Sequence, residues 1–171
     1  GAQMLLDSGT SAQKEAWLSE IAAGKKVMAV AYDEPKARFN HHHVATTATK
    51  TDGGYELSGE KIHVLDGGSA NGIIVSARVA GGAQDTDGIA LFLIEPNTAG
   101  VQRISQTRVD SRNAVILKMD QVKVNADCLI GEAGAGGPIL DRVMDIARIG
   151  LAAEMLGGAS QAFDITVAYL K

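Results

Sequence analysis

Three hydrophobic periodicities divide the chain. Thr10–Ala23 carries Trp17, Leu18 and Ile21 at helical spacing, so that they share one face. Thr10 and Gln13 stand at the separation of a capping box, where each side chain satisfies the other residue's free amide. Gly24 followed by Lys25-Lys26 suits the end of that helix. From Val27 to Ile130 the pattern shortens to apolar runs between turn signals. It predicts strands over Val27–Tyr32, Val44–Lys50, Tyr55–Ser58, Lys61–Leu65, Ile73–Val79, Ile89–Ile94 and Val115–Val124. Thr51-Asp52-Gly53-Gly54 predicts a hairpin, because Asp-Gly reaches the positive φ of two-residue turns. Ala83–Gly88 and Glu95–Gly100 predict further turns. No helical pattern interrupts these strands, which argues against a parallel βαβ sheet. Helical spacing returns after Pro138 in Leu140, Val143, Met144, Ala147, Leu151, Met155 and Phe163, and runs to Lys171.

The fold predicted is mainly β with flanking α: an antiparallel β-barrel or sandwich between two helical pieces. The boundaries fall at 1–24, 25–131 and 132–171. A final helix of about 33 residues spans about 50 Å, more than a small domain covers. The expectation is a truncated chain whose last helix docks on helices lying outside it.

Composition narrows the function class. With 46% hydrophobic and 21% charged residues, the 171-residue chain reads as an ordinary globular protein. Lys+Arg 16 against Asp+Glu 20 leaves a net charge of −4, with no basic stripe for a phosphate backbone, so no nucleic-acid partner is expected. The apolar stretches Gly88–Ile94 and Ile149–Leu156 are far shorter than the ~20 residues of a membrane span. Neither membrane association nor a secretory leader is expected. A single cysteine, Cys128, permits no intrachain disulfide and suits the cytoplasm.

Local chemistry adds little by itself. His41-His42-His43 fails as a metal site, since alternating side chains of a strand do not converge on one ion; it reads as a loop entering a strand. Asp85-Thr86-Asp87-Gly88 lacks the later glutamate of a calcium loop and reads as a turn. The run Gly131–Gly137 lacks the lysine and hydroxyl ending of a phosphate-cradling loop and reads as a flexible strand-to-helix junction. Cys128 reads as a packed, unreactive thiol. No metal site and no catalytic group is assigned.

Ordered motifs carry more. Ala29-Val-Ala-Tyr-Asp-Glu-Pro35, Thr46-Thr-Ala48, Gly53-Gly-Tyr-Glu-Leu-Ser-Gly-Glu-Lys61 and Gly67-Gly-Ser-Ala70 resemble the middle domain of an acyl-CoA dehydrogenase. Asp110-Ser-Arg112, Leu129-Ile-Gly-Glu132, Asp145-Ile-Ala-Arg148 and Ala152-Ala-Glu154 continue the resemblance in order over nearly the whole chain. It implies the end of an N-terminal helical domain, the β middle domain, and the first long helix of a C-terminal helical domain. It also implies FAD-dependent α,β-dehydrogenation of an acyl-CoA thioester, with electrons passed to an electron-transfer flavoprotein, and a homo- or hetero-tetramer.

On this resemblance Ala31, Tyr32 and Asp33 are expected at the pyrimidine end of the flavin, and His63, Val64 and Leu65 on the ring's other side. Phe39, Asp145 and Arg148 are expected to meet substrate. The catalytic base is expected beyond Lys171, because Ala147 stands where some relatives place a carboxylate. The chain departs from the family's usual pattern in four places: Asp33 replaces a threonine, His63 a tryptophan, Leu65 a threonine, and Phe39 a serine. An ionised Asp33 disfavours a reduced, anionic ring; alternatively it points away and only backbone binds. Lys36 and Arg38 remain to attract phosphates or an acidic acyl end. The Glu-Pro-x-x-Arg-aromatic-Asn variant, with Val44-Ala-Thr-Thr-Ala48, resembles pimeloyl-CoA dehydrogenase small subunits and implies an unusual or dicarboxylyl acyl-CoA. The alternative readings are a non-catalytic subunit completing a partner's site and a β-barrel binding module without redox chemistry.

Overall fold

Thr10 closes the first long helix through the reciprocal pair that its sequence predicts. Its hydroxyl accepts the Gln13 N–H at 3.2 Å, and Gln13 Oε1 accepts the Thr10 N–H at 3.0 Å. In this computed structural model, which describes residues 1–170, that helix is α2 (Ser11–Ala22). A short α1 (Ala2–Ser8), not predicted, precedes it and buries Met4 and Leu5. Gln13 is the one buried residue of α2, and its Nε2 donates to the carbonyls of Asp127 (2.8 Å) and Leu129 (3.0 Å). The helix is thus docked by a polar anchor as much as by Trp17.

The strands are β1 (Met28–Ala31), β2 (Thr47–Thr51), β3 (Gly54–Leu65), β4 (Gly72–Arg78), β5 (Ile89–Ile94), β6 (Val101–Gln106), β7 (Ala114–Asn125) and β8 (Leu129–Ile130). They form one sheet in the order β6-β7-β3-β2-β4-β5-β8, with β1 joined to β4. The ladders are antiparallel except β1 with β4 and the single Thr47–Arg78 pairing of β2 with β4. The β2–β3 hairpin serves as the crossover that a parallel pair requires. No ladder joins β6 to β8 among the described residues, so the sheet stays open.

Every residue of β4 and β5 is buried, as the apolar run Ile89–Ile94 requires of a strand covered on both faces; in β4 the buried Ser76 and Arg78 interrupt the apolar residues. Ile73, Val75, Phe92, Leu117 and Val122 are among the residues at the centre of the core. The two runs predicted as Tyr55–Ser58 and Lys61–Leu65 are one strand, β3, whose register against β7 shifts twice. Strands β6 and β8 escaped prediction: Val-Gln-Arg-Ile-Ser-Gln lacks clean alternation, and β8 has two residues. The predicted hairpin forms with Thr51 opposite Gly54, but neither Asp52 nor Gly53 adopts a left-handed φ. The glycine that this turn requires is Gly54, where a Cβ would overlap the Val124 carbonyl.

The helix α3 (Gly136–Leu170) has 35 residues, and from Leu140 it forms a separate unit. Considered by itself, that unit leaves Ile149, Leu151, Met155, Leu156, Phe163, Ile165 and Tyr169 exposed. No helix among the described residues is long and apolar enough to cross a membrane.

Candidate functional site

A bulge in β3 builds the site. Its register with β7 passes from Lys61 opposite Leu117 to Val64 opposite Val115, so Ile62 and His63 together face one residue, Ile116. The extra residue puts Lys61 wholly inside and His63 outside, with φ of 52° at the histidine. A left-handed histidine is uncommon and costs about 1–3 kcal/mol unless its surroundings fix it. Here two contacts do. The Ile62 N–H donates to the Asp33 carbonyl at 2.9 Å, and Asp33 Oδ2 lies 2.9 Å from His63 Nδ1. The segment leaving β1 is therefore tied to the bulge by backbone and side chain together.

The residues expected at a flavin separate into two groups. Tyr32, Asp33, His63 and Leu65 reach the surface, with His63 49% and Asp33 16% exposed by side chain. Ala31 and Val64 have no exposed surface, so neither offers a side chain to a ligand. The surface group suits the edge of a planar ring bearing an N–H. Leu65 offers apolar area, His63 a half-exposed ring, and the Asp33 carboxylate an acceptor.

Beneath this edge lies a polar cluster that the sequence reading did not identify. Lys61 Nζ donates to Glu34 Oε1 at 2.7 Å and to Ser76 Oγ at 2.9 Å. Glu34 also accepts the Ala45 N–H (2.7 Å), the Thr46 N–H (3.0 Å) and the Thr46 hydroxyl (2.7 Å). Burial alone would raise the Glu34 carboxyl, but the Lys61 charge and these donors hold it below its ordinary value. Burial pushes Lys61 down to about 8, against the raising charge of Glu34. Gly59 lets Thr46 approach, since a Cβ there would lie 2.6 Å from the Thr46 hydroxyl oxygen. The one sequence signal for this cluster was a lysine at the start of the predicted strand Lys61–Leu65.

Arg78 at the end of β4 is a second buried cation that was missed. Its guanidinium donates to the carbonyls of His42, Val44, Ala83, Asp85 and Asp87, joining the loop before β2 to the turn before β5. The three histidines occupy that first loop, as expected of a run entering a strand. In the Asp85 turn, the Gly82 N–H donates to Asp85 Oδ2 at 2.7 Å. The glycine-rich junction is stitched to the same turn by the Gly88 N–H donating to the Gly134 carbonyl at 3.1 Å.

Of the residues expected to meet substrate, Phe39 belongs to the first unit and Asp145 and Arg148 to the helical one. Phe39 is 92% exposed, and both Arg38 (φ 49°) and Phe39 (φ 68°) take left-handed conformations. Neither Lys36 nor Arg38 makes an ion pair among the described residues. Asp145 and Arg148 belong to the helical unit and bond each other at 2.7 Å in an exposed i,i+3 pair. Cys128 is partly buried, and burial followed by the Asp127 charge pushes its thiol up, away from the reactive thiolate. It lines a cavity of about 470 Å³ with Trp17, Leu93, Glu95 and Lys123; none of the expected flavin or substrate residues lines it.

A model of the acyl-CoA dehydrogenase middle domain matches residues 29–122. The short-chain specific acyl-CoA dehydrogenase of Megasphaera elsdenii is 35% identical over 167 residues, covering 95% of this chain and 43% of that protein. Among solved structures, butyryl-CoA dehydrogenase from Megasphaera elsdenii superposes with a TM-score of 0.85 at 34% identity, over 91% of this chain and 42% of that one. An FAD complex of PigA superposes with a TM-score of 0.79 at 27% identity, over 84% and 38%. The chain thus spans less than half the length of these proteins.

Proposed function

The chain belongs to the acyl-CoA dehydrogenase family, and from that premise we propose that it forms the flavin-facing middle part of an FAD-dependent enzyme that dehydrogenates an acyl-CoA thioester. The observation that carries this reading is the 2.9 Å contact between Asp33 and His63 at the bulge of β3, within the matched segment. Tyr32 and Asp33 hold the pyrimidine end, His63 and Leu65 line the ring's other side, and Ala31 and Val64 contribute backbone alone. When bound, the flavin supplies the acceptor for the substrate's β-hydride.

The remaining assignments follow the same reading. Residues 1–24, 25–131 and 132–171 belong to the N-terminal helical, middle and C-terminal helical domains. Phe39, Asp145 and Arg148 meet the substrate, and Lys36 and Arg38 draw its anionic groups. Ala147 has no proton-accepting group, so the base comes from outside these residues. An electron-transfer flavoprotein, a tetrameric assembly and a cytoplasmic location complete the proposal. The pattern at Arg38 to Asn40 favours a dicarboxylyl or otherwise unusual acyl chain, as in pimeloyl-CoA dehydrogenase small subunits.

A second reading, a non-catalytic subunit that completes a partner's site, is favoured by the departures themselves. The Asp33 carboxylate is already engaged by His63 instead of presenting a hydroxyl donor. Anaerobic titration of the complete, FAD-supplemented protein with straight-chain and dicarboxylyl CoA thioesters separates the two. Bound FAD that is bleached by a thioester supports the enzyme. FAD retained only with a related partner chain supports the subunit. Absence of FAD in both cases overturns both.

A further inference from the structure

The loop between β1 and β2 is fastened at its neck by two buried side chains, Glu34 at 4% and Arg78 at 7% exposure. Glu34, at the entry, accepts the Ala45 N–H at 2.7 Å and the Thr46 N–H at 3.0 Å, which joins it to the far end of the loop. Arg78 reaches that end from β4: Nη2 donates to the His42 carbonyl at 3.0 Å and Nε to the Val44 carbonyl at 3.3 Å. A segment whose ends are held together in this way has the form of an Ω-loop, a class often used for function. Its tip is costly by itself. Arg38 and Phe39 both take left-handed φ, and Phe39 is 92% exposed, so no burial of its ring offsets that conformation. Such a backbone persists only where its surroundings fix it, and the closed neck supplies that constraint. Lys36 and Arg38 flank the buried Ala37, are exposed, and make no ion pair among the described residues, so both charges stand open to an anion.

We propose that Arg78 is a positioning residue for binding: with Glu34 it holds this loop ordered in advance, so that Lys36 and Arg38 meet an anionic group of the acyl-CoA thioester, a phosphate or a terminal carboxylate. The inference rests on the acyl-CoA reading above and adds to it the residue that organises the loop. Arg78 touches no ligand, because its guanidinium is occupied by five carbonyls. A loop ordered before the ligand arrives spares binding the entropy of ordering it. Three of the five carbonyls, those of Ala83, Asp85 and Asp87, belong to the turn before β5, and the Val44 N–H donates to the Ala83 carbonyl at 2.8 Å. Loosening that turn therefore loosens the loop.

The test measures dissociation constants of three thioesters for the complete, FAD-supplemented protein. A straight-chain CoA thioester carries its anions as phosphates. A dicarboxylyl N-acetylcysteamine thioester carries only the carboxylate, and the straight-chain N-acetylcysteamine thioester carries neither. Arg78→Lys is expected to weaken at least one anionic ligand several-fold and to leave the neutral one unchanged; the arm that responds identifies the anion. In a Lys36→Ala, Arg38→Ala background the same substitution is expected to cause no further loss, an outcome that general destabilisation would not give. Asp85→Ala, which removes the bond from the Gly82 N–H within the turn, is expected to give a smaller loss of the same kind, and it decides the matter if Arg78→Lys does not fold. A loss shared equally by the neutral thioester, a loss that persists in the double background, or no loss at all overturns the proposal and leaves the acyl-CoA reading intact. Failure of the wild-type protein to bind any of the three overturns both.

Discussion

Lys61 Nζ lies 2.7 Å from Glu34 Oε1, with side chains 0% and 4% exposed. The pair joins β3 to the segment leaving β1, directly behind the bulge that carries His63. Removing one charge strands the other in a medium of low polarity, and such losses cost about 3–5 kcal/mol. Lys61→Met is expected to destabilise the protein by that order in urea denaturation at pH 7. The loss should shrink in acid, where Glu34 takes up a proton in the variant. An equal loss at both pH values would contradict it.

The wild-type pH dependence follows from the same pair. Glu34 is held below its ordinary value, so its contribution is present at neutral pH and lost as pH falls through its folded value. Lys61 is pushed down to about 8 from 10.5, so between these values the unfolded chain binds more protons than the folded one. Stability from this group therefore rises across that window and is absent below it. Denaturation midpoints of wild type minus Lys61→Met, measured from pH 7 to 10.5, should climb with pH.

His63 at φ 52° sets a backbone prediction. Valine is β-branched and resists this region, whereas asparagine visits it readily. His63→Val is expected to lower stability by about 1–3 kcal/mol relative to His63→Asn. Thermal melts of the two variants provide the comparison, and equal melting temperatures would remove the strain argument.

Arg78 closes a loop through geometry as well as charge. Lysine keeps the charge but lacks the planar fork that reaches five carbonyls. Arg78→Lys is expected to cost about 1–3 kcal/mol, because carbonyls beneath the loops lose their donor. Limited proteolysis should then cut first between residues 80 and 88; an unchanged cleavage pattern would count against the clamp.

Much of the fold was legible because burial leaves a mark on composition. Apolar runs, continuous in β5 and broken by Ser76 and Arg78 in β4, gave those two strands, Thr10 with Gln13 gave the start of α2, and Pro138 with the spaced apolar residues gave α3. The surface members of the candidate edge, Tyr32, Asp33, His63 and Leu65, were legible through family resemblance rather than through spacing. Their separation from Ala31 and Val64 was not, since which side of a bulged strand a residue takes depends on register.

The sequence by itself determined the succession of helix, strand-rich segment and long helix, and the family, because these rest on local spacing and on motifs that survive in one dimension. Only the tertiary structure decided that Glu34 meets Lys61, that five carbonyls converge on Arg78, and that Asp33 reaches His63 across 30 positions. Buried polar groups must find partners wherever the chain brings them. That requirement is met by through-space geometry, which no periodicity along the chain records.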